Sequence, residues 1–258
     1  MLSGRLALVT GGGSGIGRAV CLGLAQEGSR VVIADVNKDA AQETLRMMPS
    51  QGDHQALEVD VGHAQSVRDV FSAARRLYSG APSMVINSAG CLTHSFLLNT
   101  DERAFDEMVR VNLKGTFLIT QEAAREMMAD GAQVVTANSS HRQQDRSIVN
   151  ISTILGSTGF PKMSVYVAAK SGVIGFSKSA ALELAPYGIR CNTVLPGVTD
   201  TPLLSPLDEE TVQKLIRRSA MQREGKPEDI ASVCVFLASS KSSYITGAAI
   251  EVTGGLSA

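Results

Sequence analysis

An excess of charge of either sign is missing from these 258 residues: 24 lysines and arginines face 25 aspartates and glutamates, a formal net charge of −1. A chain so balanced has no sequence-independent attraction to nucleic acid or to an anionic membrane, so neither partner is expected. Long hydrophobic runs are missing too. None approaches the roughly 18 to 20 apolar residues that a bilayer-spanning helix needs, and the opening MLSGRLALVTGGG reads as a strand and turn, not as a signal peptide. A soluble, intracellular protein is expected. Cysteine is sparse: Cys21, Cys91, Cys191 and Cys234 stand far apart with no C-x-x-C. That spacing suggests neither a disulfide framework nor a zinc site and leaves reduced, mostly buried thiols. The four histidines, His54, His63, His94 and His141, are equally scattered, and no metal is expected. What remains is a chain 44% hydrophobic, long enough to bury the core of one undivided α/β domain over residues 1–258.

Residues 6–10 form a short apolar run that ends in Gly11-Gly12-Gly13-Ser14-Gly15-Ile16-Gly17, and residues 18–27 then carry helix formers up to Gly28. Strand, glycine turn and helix in that order have a physical use. Glycines permit a tight turn and close approach of the backbone to a pyrophosphate, whose charge the amides at the helix start receive. A second apolar run, residues 31–34, ends in Asp35, 18 residues past Gly17. A carboxylate there can accept hydrogen bonds from the adenosine ribose hydroxyls. The same carboxylate would repel the 2′-phosphate of NADP, and Val36 and Asn37 bring no compensating cation. Arg30 precedes the strand and Lys38 opens the next helix, so NAD is the expected cofactor.

The alternation continues with a helix over about 39–48, a strand over 56–61, a helix over 66–78 and a strand over 84–87. Asp60 and Val61 end the third strand, placed to flank the adenine, and the small residues of Asn87-Ser88-Ala89-Gly90 let the backbone come near the cofactor. Strands alternating with helices predict a Rossmann-type doubly wound parallel sheet of about seven strands, a three-layer αβα sandwich with its ligand across the strands' carboxyl ends. The dinucleotide-binding half spans about 1–150 and the catalytic and substrate-binding part about 151–258.

In that second part Thr153 is followed thirteen residues later by Tyr166 and four further on by Lys170. Helix formers run on from Ser164, so Tyr166 and Lys170 share one helical face. A phenol, with a reference pKa of about 10, is a poor base at neutral pH. An ammonium nearby favours the phenolate, and the pair becomes a usable proton-transfer group. A tyrosine packed under a solvated lysine would show the same spacing; the glycine turn at the other end of the chain favours the chemical reading.

T-G-G-G-S-G-I-G at 10–17, N-S-A-G at 87–90, Asn112 in V-N-L-K-G, Y-x-x-x-K at 166–170 and Pro196-Gly197 resemble, in order and spacing, the motif series of the short-chain dehydrogenases/reductases. The resemblance covers essentially the whole chain. It implies an NAD(H)-dependent enzyme interconverting a secondary alcohol and a ketone. Within the family, Y-G-I-R-C-N-T-V-L-P-G at 187–197 and Y-I-T-G-A-A-I-E-V-T-G-G at 244–255 resemble members that act on 17β-hydroxysteroids such as estradiol and on 3-hydroxyacyl or 3-oxoacyl thioesters. The resemblance makes Tyr166 the general acid/base, with Lys170 binding the nicotinamide ribose and lowering the tyrosine pKa. Asn112 would anchor a water in a proton relay. Contacts to the cofactor would come from Gly11, Ser14, Gly15, Ile16, Gly17, Asp35, Asp60, Val61, Asn87, Ala89 and Gly90, and at the nicotinamide end from Pro196, Gly197, Val198 and Thr201. It further implies a tetramer, of one chain or with a related reductase subunit, with helices over 113–129 and 164–184 in its main interface. A mitochondrial matrix location follows from the resemblance; the cytosol is the alternative, because no Arg-rich, Ser-rich transit peptide precedes the first strand. An NAD(H)-binding subunit that does no chemistry is the competing class, and the intact Tyr166, Lys170 and Asn112 argue against it.

Three departures from the family pattern stand out. Thr153 occupies the place of a serine that polarises the substrate oxygen; it keeps the hydroxyl, adds a methyl and restricts χ1. Ser152 next to it should point the other way. Ser88 stands where a second asparagine is usual. The polar stretch over 131–146 is longer than the 2 to 6 residues usual for such a connection and reads as an insertion at the amino end of the next strand, away from the cofactor. Its Asn138-Ser139-Ser140 matches a glycosylation sequon, a match without consequence in the absence of a signal peptide. Further on, residues 203–226 form the mobile segment over the substrate, with Leu203, Leu204, Leu207 and Ile216 available to line an apolar pocket. Lys214, Arg217, Arg218, Arg223 and Lys226 cluster there as a solvated face, or as an attraction for an acidic acyl carrier or a coenzyme A phosphate.

Overall fold

The computed structural model describes residues 2–49, 52–131 and 145–256. Short runs of β-branched and aliphatic residues form the strands: β1 is Leu6–Thr10, β2 Arg30–Asp35, β3 Gln55–Glu58, β4 Met84–Asn87, β5 Arg146–Ile151, β6 Ile189–Pro196 and β7 Ala249–Val252. All pair in parallel in one sheet of order β3-β2-β1-β4-β5-β6-β7. The chain steps outward from β1 to β3, then returns to lay β4 on the other side of β1. Thr10 therefore pairs with Ala34 on one side and with Asn87 on the other. The chains leaving β1 and β4 lead to helices on opposite faces of the sheet, and a crevice opens at the strand ends.

The helices are α1 Gly15–Gln26, α2 Lys38–Met47, α3 Ala64–Tyr78, α4 Glu102–Met108, α5 Gly115–Ala129, α6 Leu155–Thr158, α7 Ser164–Leu184, α8 Glu209–Arg218 and α9 Pro227–Ala238. Successive strand residues face opposite sides of the sheet. Ala7 and Val9 accordingly pack with Val20 of α1 and Leu237 of α9. Leu6 and Leu8 pack with Phe71 of α3, Ile119 of α5 and Leu184 of α7. Both faces are covered, which is why β1 is buried at every residue and reads as a continuous apolar run. Full burial of one Val, Leu or Ile stabilises the fold by about 1.5 to 3 kcal/mol relative to exposure.

At the amino end of the sheet Asp145 holds two cations, Arg5 at 3.1 Å and Arg190 at 2.9 Å, and Arg190 Nη1 also donates to Leu237 O at 2.9 Å. Those groups tie β1, β6 and α9 together far from the crevice. The expected insertion falls almost wholly on residues 132–144, outside the described residues.

Two elements differ by more than two residues from their expected bounds. The third strand stops at Glu58 instead of reaching Val61, because turn chemistry takes over: Asp60 N donates to Ser66 Oγ at 3.0 Å and Gly62 N to Asp60 Oδ1 at 2.9 Å. The helix expected over 113–129 begins much earlier. Asp101 caps it by accepting from Ala104 N at 2.7 Å, and α4 runs into α5 through a π turn, Val109–Lys114.

Candidate active site

A cavity of about 550 Å³ lies along the carboxyl ends of the strands. At one end it is lined by Gly11, Ser14 and Asp35, and at the other by Thr153, Tyr166 and Lys170. β1 delivers the glycine turn. Gly11 has φ +66°, and a Cβ there would lie 2.7 Å from Ala89 N, so the first and fourth loops touch through backbone alone. Gly17 is tighter still: a Cβ would come within 2.0 Å of Gly11 O. Helix α1 thus starts pressed against the turn.

The turn suits an anion. Among the described residues no side chain caps α1 at Ser14, and its first turn holds no acid. Its leading amides are left for an outside acceptor. Beside them Asp35 is fixed by backbone amides, Oδ2 accepting from Gly13 N and Oδ1 from Asn37 N, both at 2.9 Å. Of the cations near it in sequence, Arg30 lies over the Tyr78 ring, 5.2 Å from its centroid. Arg18 is engaged by Thr44 at 3.0 Å and Glu43 at 3.1 Å. An adenosine diphosphate moiety fits this donor set: amides for the pyrophosphate, a carboxylate for hydroxyls.

The chemical end is built from β5, α6 and α7. Ile151 O accepts from Lys170 Nζ at 2.9 Å, and Ser152 Oγ donates to Lys170 O at 2.8 Å. Ser152 therefore faces α7, as alternation along an extended chain requires, and Thr153 faces the cavity with its Oγ1 accepting from Leu155 N at 3.3 Å. Tyr166 and Lys170 share one face of α7, with Nζ 6.0 Å from the ring centroid.

The expected lowering of the phenol by the ammonium is not what this site displays. Burial raises the Tyr166 pKa, Cys91 adding to the effect, and burial brings Lys170 down to about 8. Both groups lose water together, and desolvation outweighs their mutual influence. The free site thus holds a neutral phenol beside an amine that titrates near neutrality.

Not every expected contact lines the cavity. Gly17 is buried behind Gly11 and does not line the cavity. Asn87 turns its Nδ2 to Asn150 Oδ1 at 2.8 Å and Thr120 Oγ1 at 3.1 Å, bracing β4 against β5 and α5. Asn112 is wholly buried: Oδ1 accepts from Cys91 N at 3.2 Å, and Nδ2 donates to Cys91 O at 3.0 Å and Met108 O at 3.1 Å. Within reach of its Oδ1 lies Gly90, whose Cβ would sit 2.9 Å from that atom and 3.4 Å from Lys170 Nζ. Ile16, Gly15, Asp60, Val61, Ala89, Gly90, Pro196, Gly197, Val198 and Thr201 do line it.

Leu203, Leu204 and Leu207 line the mouth, whereas Ile216 does not; Leu215, one position earlier on α8, is the buried one. The basic cluster is partly neutralised, Lys214 by Glu210 and Arg223 by Asp229, each at 2.8 Å. Cys91, Leu92, Met163, Glu107 and Arg110 also line the cavity, unforeseen from the sequence. Met108, Met163 and Tyr166 form a small apolar cluster that wraps the chemical end; the only sequence signal for it was the methionines beside Asn112 and Tyr166.

A family model described as short chain dehydrogenase matches residues 5–212. The chain belongs to the short-chain dehydrogenase family. As a short-chain dehydrogenase it is an oxidoreductase, and the strand-end cavity is where this family member would hold its nicotinamide cofactor. It is 43% identical to the human (3R)-3-hydroxyacyl-CoA dehydrogenase over 263 aligned residues, 99% of this chain and 96% of the relative. The mouse protein of the same name is 41% identical, with 99% and 97% covered. The 3-oxoacyl-[acyl-carrier-protein] reductase of Thermotoga maritima is 36% identical over 99% of this chain and 98% of its own. Among the described residues of this dehydrogenase no helix is long and apolar enough to cross a membrane.

Proposed function

We propose that the protein is an NAD(H)-dependent dehydrogenase that interconverts 3-hydroxyacyl and 3-oxoacyl thioesters. The observation that carries the reading is a single cavity with an amide-anchored carboxylate, Asp35, at one end and Thr153, Tyr166 and Lys170 at the other. Asp35 accepts from ribose hydroxyls and repels a 2′-phosphate, which favours NAD over NADP. When bound, the nicotinamide supplies or accepts the hydride at the carbinol carbon. The chain's residues handle the proton and the oxygen. Thr153 Oγ1 donates a hydrogen bond to the carbonyl oxygen, and the neutral Tyr166 Oη gives its proton to that oxygen as it becomes a hydroxyl. Lys170, held by Ile151 O, stays beside the phenol to donate to the ribose hydroxyls and, as an ammonium, to limit the cost of the phenolate left behind. The leucines at the mouth, Leu203, Leu204 and Leu207, give an acyl chain an apolar path.

Thioesters are favoured over steroids because the relatives' names are those of acyl-CoA and acyl-carrier-protein enzymes. We also place the chain in a tetramer, with itself or a related reductase subunit. Phe117 on α5 and Leu182 on α7 remain 40% and 78% exposed and support burial of those helices between subunits.

Initial rates of a 3-hydroxyacyl-CoA and of estradiol, each with NAD and NADP, test the reading, with light scattering on the same preparation to count subunits. Oxidation of the thioester with NAD is expected to dominate. Tyr166→Phe should cut turnover by about 10² to 10⁴ and leave NADH binding intact. Normal NADH binding without turnover of either substrate would instead favour a subunit that does no chemistry alone.

A further inference from the structure

We infer that Arg110 is a positioning residue that fixes the Asp60 carboxylate as an acceptor for the 6-amino group of the cofactor's adenine, so that the pocket rejects 6-oxo purine dinucleotides. The inference rests on the dinucleotide reading above. β3 lies beyond β2 in the sheet, with Asp35 paired to Glu58, so the cavity wall next to the ribose carboxylate is the turn carrying Asp60 and Val61. The base belongs there.

Arg110 spans that turn. Its Nη1 lies 2.8 Å from both Asp60 oxygens, while Nε and Nη2 reach Glu107 Oε2 at 2.7 Å and Oε1 at 2.9 Å. The guanidinium rests directly on the Gly62 backbone: a Cβ on Gly62 would lie 2.2 Å from Arg110 Nη1 and 2.9 Å from its Cγ. Gly62 also donates its N–H to Asp60 Oδ1 at 2.9 Å. Burial alone would raise the Asp60 pKa, but hydrogen bonds from Arg110 and Gly62 outweigh it and hold the carboxyl below its usual range.

An ionised carboxylate only accepts. Adenine offers it an amino donor at C6; hypoxanthine offers a carbonyl oxygen, and two acceptors would face each other. Without the arginine, Glu107 and Asp60 are left to repel, and the Asp60 carboxylate loses its fixed direction. Lysine, a point charge, would keep the attraction without the fork.

The test is fluorescence titration of the full chain with NADH and with reduced nicotinamide hypoxanthine dinucleotide; the protein has no tryptophan to contribute emission. Wild type should prefer NADH by about 10- to 100-fold, the worth of one hydrogen bond to a charged group. In R110M the NADH affinity should fall about tenfold while the hypoxanthine analogue changes less than about twofold, and R110K should restore most of the preference. D60N, whose amide can donate as well as accept, should flatten or reverse the ratio; if R110M does not fold, D60N decides. NADH binding with no preference in wild type, or equal weakening of both nucleotides in R110M, would overturn the inference and leave the dinucleotide reading standing. Failure of wild type to bind either nucleotide would overturn both.

Discussion

Lys170→Met removes an amine that folding takes almost wholly out of water: Lys170 is 3% exposed, and burial, opposed by Cys91, brings its pKa from 10.5 to about 8. Between those two values the unfolded chain binds a proton that the folded protein does not, so stability rises with pH across that window. Below about pH 8 the native state carries the whole cost of the buried ammonium, about 3 kcal/mol for a shift of this size. The unfolding free energy of the wild type minus that of the variant should therefore increase by about 2 to 3 kcal/mol between pH 7 and pH 10. Cys21, Cys191 and Cys234 act in the opposite sense, since burial raises their pKa and the unfolded thiols ionise first. They are present in both proteins and cancel in the difference. At pH 7 the variant is relieved of the charge but loses the bond from Nζ to Ile151 O, 2.9 Å long. A hydrogen bond from a charged donor contributes about 1.5 to 3 kcal/mol, so the two proteins should differ by no more than about 2 kcal/mol there. Urea unfolding followed by circular dichroism at pH 7, 8, 9 and 10, without nucleotide, measures the series. A difference that stays flat across it would mean that Lys170 keeps an ordinary pKa, and the argument from burial would fail.

Gly17→Ala places a methyl 2.0 Å from Gly11 O. Relief requires the glycine turn to move, so we expect a loss of about 1 to 3 kcal/mol in thermal unfolding and at least about tenfold weaker NADH binding by calorimetry; unchanged affinity would show that this turn is not the pyrophosphate seat. Thr153→Val keeps the shape and removes the hydroxyl, so kcat should fall about 10²-fold with the NADH Kd unchanged, whereas Thr153→Ser should stay active. Activity kept in Thr153→Val but lost in Thr153→Ser would point to the methyl, not the hydroxyl.

The fold was legible because its signals are local. A parallel strand buried on both faces is a short apolar run, and glycine, Asp35 and Tyr166 mark turns, strand tips and a helix face wherever the chain runs next. The bounds of β1, β4 and α7 needed nothing more. What stayed hidden depends on contacts across the chain. No spacing rule announces that Arg110 lies on Gly62, 48 positions earlier. Helical periodicity admits both Ile216 and Leu215, and only docking of α8 on the mouth chooses the latter. Asn87 and Asn112 sit in motifs whose polar residues invite a cofactor role, yet the partners of Asn87 Nδ2 and of Asn112 come from β5, α5, α4 and the loop after β4. The phenol's pKa is hidden for the same reason: spacing shows the neighbouring amine, and only the packed structure shows how much water both groups lose.

Between Met108 and Gly115 the helix is wound into a π turn over Val109–Lys114, with Arg110 bonded to Asp60 and Asn112 to Cys91. Such a turn carries one residue more than regular winding would. Deleting a single codon here would let the segment relax into an ordinary helix, with the turns before and after it still in phase. Ile119, Ala123 and Met127 would go on facing the sheet, and the residues displaced would be those of the turn itself. The extra residue therefore governs how Arg110 and Asn112 are presented, and not which face α5 turns to the core.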